Sequence, residues 1–282
     1  MTAVTWPRVA KSLGLGIVYA LLAFGSVIML APLVWMLLAS LKPPTEVMAY
    51  PPQWITPGLG TLRNYREAAK LVDIPRVYFN STFTAAFQVI TTLLFSSIVA
   101  YGLTRFRFPG RDVVFTTCLL TMMIPSYVIL IPLYMMARDL HLINTYLGLI
   151  LPGLMSPFGI FLLRQHFMIM PSDLVDAAYI DGASDMRILF SLVLPISRAG
   201  LTTLLVFTAM GSWNNFLWPS IVVNETEMFT IPLAVTRFYS QFSTDWGSVM
   251  AFSTAATVPI LILYFIFQRQ FVEGMAMSGL KG

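Results

Sequence analysis

Charge is what this 282-residue chain has least of. Only 11% of its residues are charged, 17 basic and 13 acidic, while 57% are apolar. Soluble domains carry about 25% charged residues, and a globule with less than half that density could not keep its surface hydrated. A soluble enzyme, a disordered chain and a collagen-like chain are excluded together. Cysteine is nearly absent: the single Cys118 forms neither an intramolecular disulfide nor a cysteine-rich metal site. The two histidines, His141 and His166, fall in different loops and do not suggest a shared metal. There is no GxxxxGK[ST] phosphate loop, no GxSxG and no HExxH, so catalysis by this chain is not expected, and neither is a cofactor of its own. The net charge of +4 is modest and dispersed, which argues against nucleic acid as a partner.

What is there is long apolar runs. Charges are missing from Ser12–Leu41, Val77–Thr104, Val113–Ala137, Leu140–Leu163, Ala199–Asn224 and Trp246–Gln268, six stretches of 23 to 30 residues. A helix needs about 20 apolar residues to cross a hydrocarbon core of about 30 Å. In lipid only helices and closed barrels satisfy every backbone polar group. The runs are continuous rather than alternating, so they predict helices. The expectation is an all-α polytopic membrane protein with six transmembrane helices. Residues 1–11 form an N-terminal segment, 12–267 the membrane domain and 268–282 a tail. The spans are placed at 13–41, 78–103, 113–136, 146–163, 199–222 and 247–267. The first run is about twice the length of a signal-peptide core and reads as a retained anchor.

Six spans put both termini on one side of the bilayer. The turn holding Arg105, Arg107 and Arg111 is short and basic, so the positive-inside rule places the termini in the cytoplasm. The spans themselves carry no charge, whereas ion-coupled carriers bind their ion through charged side chains in the bilayer. A transporter built this way draws its energy from a partner; an ion-coupled carrier and a membrane scaffold are the rival readings.

The 164–198 segment is the most acidic part of the chain. Pro171 suits a helix entry, with Ser172 or Asp173 as cap and Asp173 and Asp176 in the first turn. Leu174, Val175, Ala177, Ala178 and Ile180 give an apolar, small-residue face that wants a partner. Asp181-Gly182 is a helix stop. Ser184 or Asp185 then caps a second helix over 186–193, which Pro195 ends or kinks.

Asp176-Ala177-Ala178, three residues, Gly182, nine residues, then Leu192-Val193-Leu194-Pro195 resembles the EAA loop of binding-protein-dependent ABC importers, with Asp176 for Glu and Leu192 for Ile. Three other segments resemble the same family, in its carbohydrate, maltose-transporter type: the Arg105–Arg111 turn, the Trp213-Asn214-Asn215-Phe216-Leu217-Trp218-Pro219 segment, and the tail from Phe271 to Gly282, which departs at Met275. The resemblance implies a type I ABC importer permease fold in a bacterial plasma membrane. It implies a coupling loop of Asp173, Asp176, Ala177, Ala178, Asp181, Gly182, Ala183, Leu194 and Pro195 that docks on an ATP-binding subunit. The tail, with Gly274, Gly279, Lys281 and Gly282, would reach the same subunits. Implied partners are a second homologous permease, two ATP-binding subunits that hold ATP and Mg, and an extracytoplasmic solute-binding protein. The implied cargo is a sugar, with glycerol phosphate or another organic solute as the alternative.

Two further groups stay open. Trp213, Asn214, Asn215 and Trp218 bring amides and indoles into an uncharged span, where they either hydrogen-bond between helices or line a translocation path suited to sugar hydroxyls and apolar faces. Phe229, Phe238, Tyr239 and Phe242 belong either to a structured surface loop or to a contact with the binding protein.

Overall fold

The apolar runs fold as helices, and prolines and amides decide where they break. The structure is a computed structural model that describes the backbone of residues 6–239 and 244–279 and the side chains of 14–239 and 244–268. In chain order the main helices are α1 (Trp6–Ser40), α2 (Arg63–Leu71), α3 (Ile74–Arg105), α4 (Arg111–Met122), α5 (Ser126–Asp139), α6 (Tyr146–Gly153), α7 (Pro157–Ile169), α8 (Ser172–Ile180), α9 (Asp185–Ile196), α10 (Arg198–Trp213), α11 (Leu217–Val222) and α12 (Trp246–Gly279). Shorter turns connect them. Among the described residues the strand-like pairing is the isolated bridge Tyr239–Thr244.

Three helices are long and apolar enough to cross a membrane unbroken, over Gly14–Ser40, Ile74–Arg105 and Trp246–Gln268. Three more qualify only as bent pairs: α4 with α5 at 101°, α6 with α7 at 44°, and α9 with α10 at 84°. The structure therefore differs from continuous spans at 113–136 and 146–163, and the expected span at 199–222 is interrupted between Trp213 and Leu217, where α10 gives way to α11. Pro125, at φ −58° and ψ 132°, starts α5; its ring lacks the N–H and holds Ile124 away from helical geometry. Pro157 starts α7, and the Ser156 hydroxyl caps it by accepting the Gly159 N–H at 3.1 Å. Helix α10 stops at Trp213, and the Asn215 side chain accepts the Trp218 N–H at 3.4 Å as α11 begins.

The chain divides into two compact units, Met1–Leu71 with Phe238–Thr257, and Val72–Arg237 with Val258–Gly282. In the first, the Asn64 amide of α2 caps the end of α1 by donating to the Ser40 and Lys42 carbonyls at 2.9 and 2.7 Å. Lys42 is fully buried, donates to the Gln53 carbonyl, and has its Nζ 4.2 Å from the Trp35 ring centre. Burial pushes the Lys42 ammonium below its ordinary 10.5, with the Glu46 carboxylate opposing. Near that pH the folded chain binds fewer protons here than the unfolded chain. Stability is expected to rise as pH climbs from the lowered folded value toward 10.5. Thermal unfolding followed against pH checks this: Lys42→Met should flatten the slope, and an unchanged slope refutes the assignment.

In the second unit α3 is the central post. Ser81, Thr84, Gln88, Thr92 and Ser96 are buried and spaced by three or four, a stripe of polar, mostly small residues that lets helices approach closely. Thr92 donates to the Gly153 carbonyl at 2.9 Å and Gln88 to the Leu149 carbonyl at 3.3 Å. Helices α7 and α10 pack on the same post. A Cβ on Gly159 of α7 would lie 2.8 Å from the Ser96 hydroxyl and 2.9 Å from a Leu204 methyl, so the three helices meet there with no space to spare.

Candidate functional site

The acidic segment folds into a helix, a turn and a helix. Pro171 takes the N-cap position of α8 without a side-chain bond, which corrects the expected Ser172 or Asp173 cap. Displaced into the first turn, the Ser172 hydroxyl bonds the Asp173 carboxylate at 3.4 Å instead. Helix α8 ends in a Schellman turn: Ala183 N–H donates to the Ala178 carbonyl at 3.0 Å and Gly182 N–H to the Tyr179 carbonyl at 2.9 Å. Gly182 has φ +77°, a conformation that glycine adopts without Cβ strain. The Ser184 hydroxyl accepts the Arg187 N–H at 3.5 Å and starts α9. That helix widens into a π turn over Leu189–Val193 before Pro195 and the bend to α10.

The two faces of α8 have different surroundings. Val175 is buried in a cluster with Tyr101, Phe167, Ile188, Leu189 and Val193, and Ala178, Ala183 and Leu194 pack partly against it. Val175 is thus a core residue and not part of an exposed face. Leu174 and Ile180 are 45% and 88% exposed, and Ala177, Asp173, Asp181 and Pro195 are also exposed. Asp176 pairs with Arg105 of α3 at 2.5 Å. The Arg105 guanidinium lies 5.1 Å from the Tyr179 ring centre, and the Tyr179 hydroxyl donates to Asp185.

A second site opens where the helices break. A cavity of about 370 Å³ is lined by Gln88, Ser126, Gly153, Ser212, Asn215 and Trp218 with surrounding aliphatic side chains. The four expected residues of this region separate. Asn215 and Trp218 line the cavity, and Trp218 is fixed by donating its Nε1–H to the Gly148 carbonyl at 2.8 Å. Asn214 donates to the Met210 carbonyl of its own helix at 2.9 Å. Trp213 is buried edge-on to Tyr78, with ring centres 6.2 Å apart. Gln88, Ser126 and Ser212 were not singled out from sequence; the signal for Gln88 was its place in a polar stripe inside an apolar run.

The aromatic group also separates. Phe229 packs against the cluster of Trp218, Val222 and Met228. The segment carrying it is held by Asn80, fully buried, which donates to the Glu227 and Phe229 carbonyls at 2.8 and 2.9 Å and accepts the Tyr146 hydroxyl at 2.6 Å. Phe238 is buried against Phe252. Tyr239 is half exposed and edge-on to Trp246. Phe242 lies outside the described residues, as do Lys281 and Gly282; Gly274 and Gly279 fall within α12. Among the described residues no group of three or more His, Cys, Asp or Glu side chains is arranged to hold a metal ion.

Residues 92–277 match the family model described as the binding-protein-dependent transport system inner membrane component. The chain is 34% identical to the arabinooligosaccharides transport system permease protein AraQ of Bacillus subtilis, over 91% of this chain and 92% of the relative. It is 35% identical to the lactose transport system permease protein LacG of Rhizobium radiobacter, over 92% and 94%, and 33% identical to the sn-glycerol-3-phosphate transport system permease protein UgpE of Brucella suis, over 91% and 94%. Its fold matches a chain in the crystal structure of a bacterial ABC transporter involved in the import of the acidic polysaccharide alginate, with TM-score 0.80, 23% identity, and coverage of 95% of this chain and 99% of that one.

Proposed function

The chain belongs to the binding-protein-dependent transport system inner membrane components, the permease subunits of ABC importers, and from that premise we propose that it forms half of the translocation path for a neutral sugar. The lining of the cavity at the helix breaks carries the choice of cargo. Gln88, Ser126, Ser212 and Asn215 offer amides and hydroxyls, Trp218 offers an aromatic wall, and none of the described residues lining it is charged. Such groups serve a neutral polyhydroxylated solute. A phosphate or a uronate would sit there without a counter-charge, at a high desolvation cost. That favours cargo like those named for the arabinooligosaccharide and lactose relatives over those named for the glycerol phosphate relative and the alginate importer.

An importer of this family works with an ATPase and a binding protein. In the proposed arrangement two separate subunits bind ATP and Mg and perform the hydrolysis, and a second homologous permease completes the path. Both termini and the 164–198 segment face those subunits in the cytoplasm, which the basic turn Arg105–Arg111 supports. The exposed Leu174, Ala177 and Ile180 of α8 form the surface that enters an ATPase groove, as an amphipathic helix does. Gly274, Gly279, Lys281 and Gly282 of the tail approach the same subunits. On the far side the 225–245 segment meets the binding protein, with Tyr239 the exposed aromatic among Phe229, Phe238 and Tyr239. Closure of the ATPases on ATP carries α8 with them and switches access to the cavity from the cytoplasmic to the outer side.

In proteoliposomes holding the complete importer, Asn215→Ala is expected to lower sugar uptake about tenfold, as loss of one or two hydrogen bonds to the cargo predicts. The ATPase subunits should still co-purify. Preference for sn-glycerol 3-phosphate over a neutral disaccharide, or normal uptake by the N215A chain, would sink the reading.

A further inference from the structure

We infer that Arg105 is a positioning residue: it clamps α8 to the end of α3, so that movement imposed on α8 is passed to that membrane span. The inference rests on reading α8 as the ATPase-contacting helix. A helix of nine residues is marginal on its own, and within α8 Val175 alone is buried. Its attachment must come from a few side chains, and Arg105 supplies two of the contacts. The guanidinium holds the Asp176 carboxylate at 2.5 Å and lies 5.1 Å from the Tyr179 ring centre. These two residues are one turn apart on α8, both partly open to solvent, so a roll of the helix or a slide along its axis loosens one grip or the other. Tyr179 extends the connection by its hydroxyl bond to Asp185 at the start of α9. Arg105 is itself well placed, as a cation in the last turn of α3, one turn beyond Tyr101, which shares a buried cluster with Val175.

The Arg105 and Asp176 side chains are 28% and 56% exposed, and such a pair is weak as a source of stability. Its worth here is geometric. Arg is suited to it because its planar group engages a carboxylate and a ring at once. The resemblance assigned Asp176 to contact with the ATPase; in the structure its carboxylate is engaged within its own chain by a residue 71 positions earlier. Asp176 then acts on coupling through Arg105, and the outward side of α8, with Leu174, Ala177 and Ile180, is left for the partner.

A double-mutant cycle in the reconstituted importer tests this, with sugar transported per ATP hydrolysed as the readout. Arg105→Gln and Asp176→Asn are each expected to lower that ratio about fivefold, and the double variant no further than either single one. Independent effects that multiply to about 25-fold would overturn the clamp, as would a normal ratio in R105Q. If R105Q fails to accumulate in the membrane, Arg105→Lys serves: D176N must cost less in that background than in the native chain, and an equal cost overturns the proposal. Gly182→Val separates the premise from the inference. Normal uptake in G182V removes the coupling role of α8 altogether, whereas impaired uptake in G182V with a normal ratio in R105Q removes only the clamp.

Discussion

Gly182→Val is expected to lower sugar uptake by more than about tenfold while the span bundle still folds. An L-residue in the left-handed region costs about 1–2 kcal/mol, and a tenfold change needs about 1.4 kcal/mol; a β-branched side chain is worse still. Gly182 sits at φ +77° with no atom within 4 Å of an added Cβ. The damage is therefore backbone strain rather than crowding, and substitutions should rank by their tolerance of that conformation. Asparagine, which visits it readily, should retain most activity; alanine should be intermediate and valine worst. Relief of the strain opens the Schellman turn and re-aims α8 relative to α9, which spoils docking on the ATPase. Uptake and ATPase co-purification across the Asn, Ala and Val series measure this, and activity ordered by side-chain size alone would contradict it.

Asn80→Leu is expected to destabilise the chain by about 3 kcal/mol or more, the largest stability effect anticipated here. Leaving a buried polar group unpaired costs about 1–3 kcal/mol. This substitution strips the Phe229 carbonyl and the Tyr146 hydroxyl of their Asn80 partner at a fully buried position. The Glu227 carbonyl keeps the Arg76 Nε–H at 3.1 Å and the Ile231 N–H still donates to the Ser81 hydroxyl at 2.8 Å, so the segment should loosen around 228–230 rather than detach at either end. Asn80→Asp is the sharper control. It is isosteric and can still accept from Tyr146, but it turns an acceptor on the two carbonyls that Asn80 donates to. Equal or greater loss of thermal stability in N80D shows that the donated bonds matter; a native-like N80D would show that only the shape does.

How legible was this in the sequence? The helical class was, and so were the three long helices over Gly14–Ser40, Ile74–Arg105 and Trp246–Gln268, because a charge-free run of 23 to 30 residues satisfies its backbone in lipid by coiling. Asp181-Gly182 also read directly, since a turn that needs a left-handed residue limits which residues can make it. The corners between α4 and α5 and between α6 and α7 were less legible. Pro125 and Pro157 marked possible kinks, but whether a proline bends a helix slightly or ends it depends on what its neighbours supply to the freed backbone groups. The failed cap at Ser172 is of the same kind: Pro171 occupied the N-cap and displaced it by one position. Least visible was the pairing of Asp176 with Arg105, because local rules carry no information about a partner 71 residues away. The polar stripe Ser81–Ser96 could have been found. Its three- and four-residue spacing lies within a charge-free run, where attention to missing charges hides uncharged polarity.

The corner at Met123–Pro125 also bears on how the chain is made. Non-helical backbone at the depth of a span is tolerated only under cover of protein or beside trapped water. Yet Met123 is 78% exposed and Ile124 48% exposed in the isolated chain. Such a corner therefore calls for cover from outside this chain. If the proposed second permease covers it, a copy made without its partners should be cleared faster than one made with them, which a pulse-chase in the two backgrounds measures.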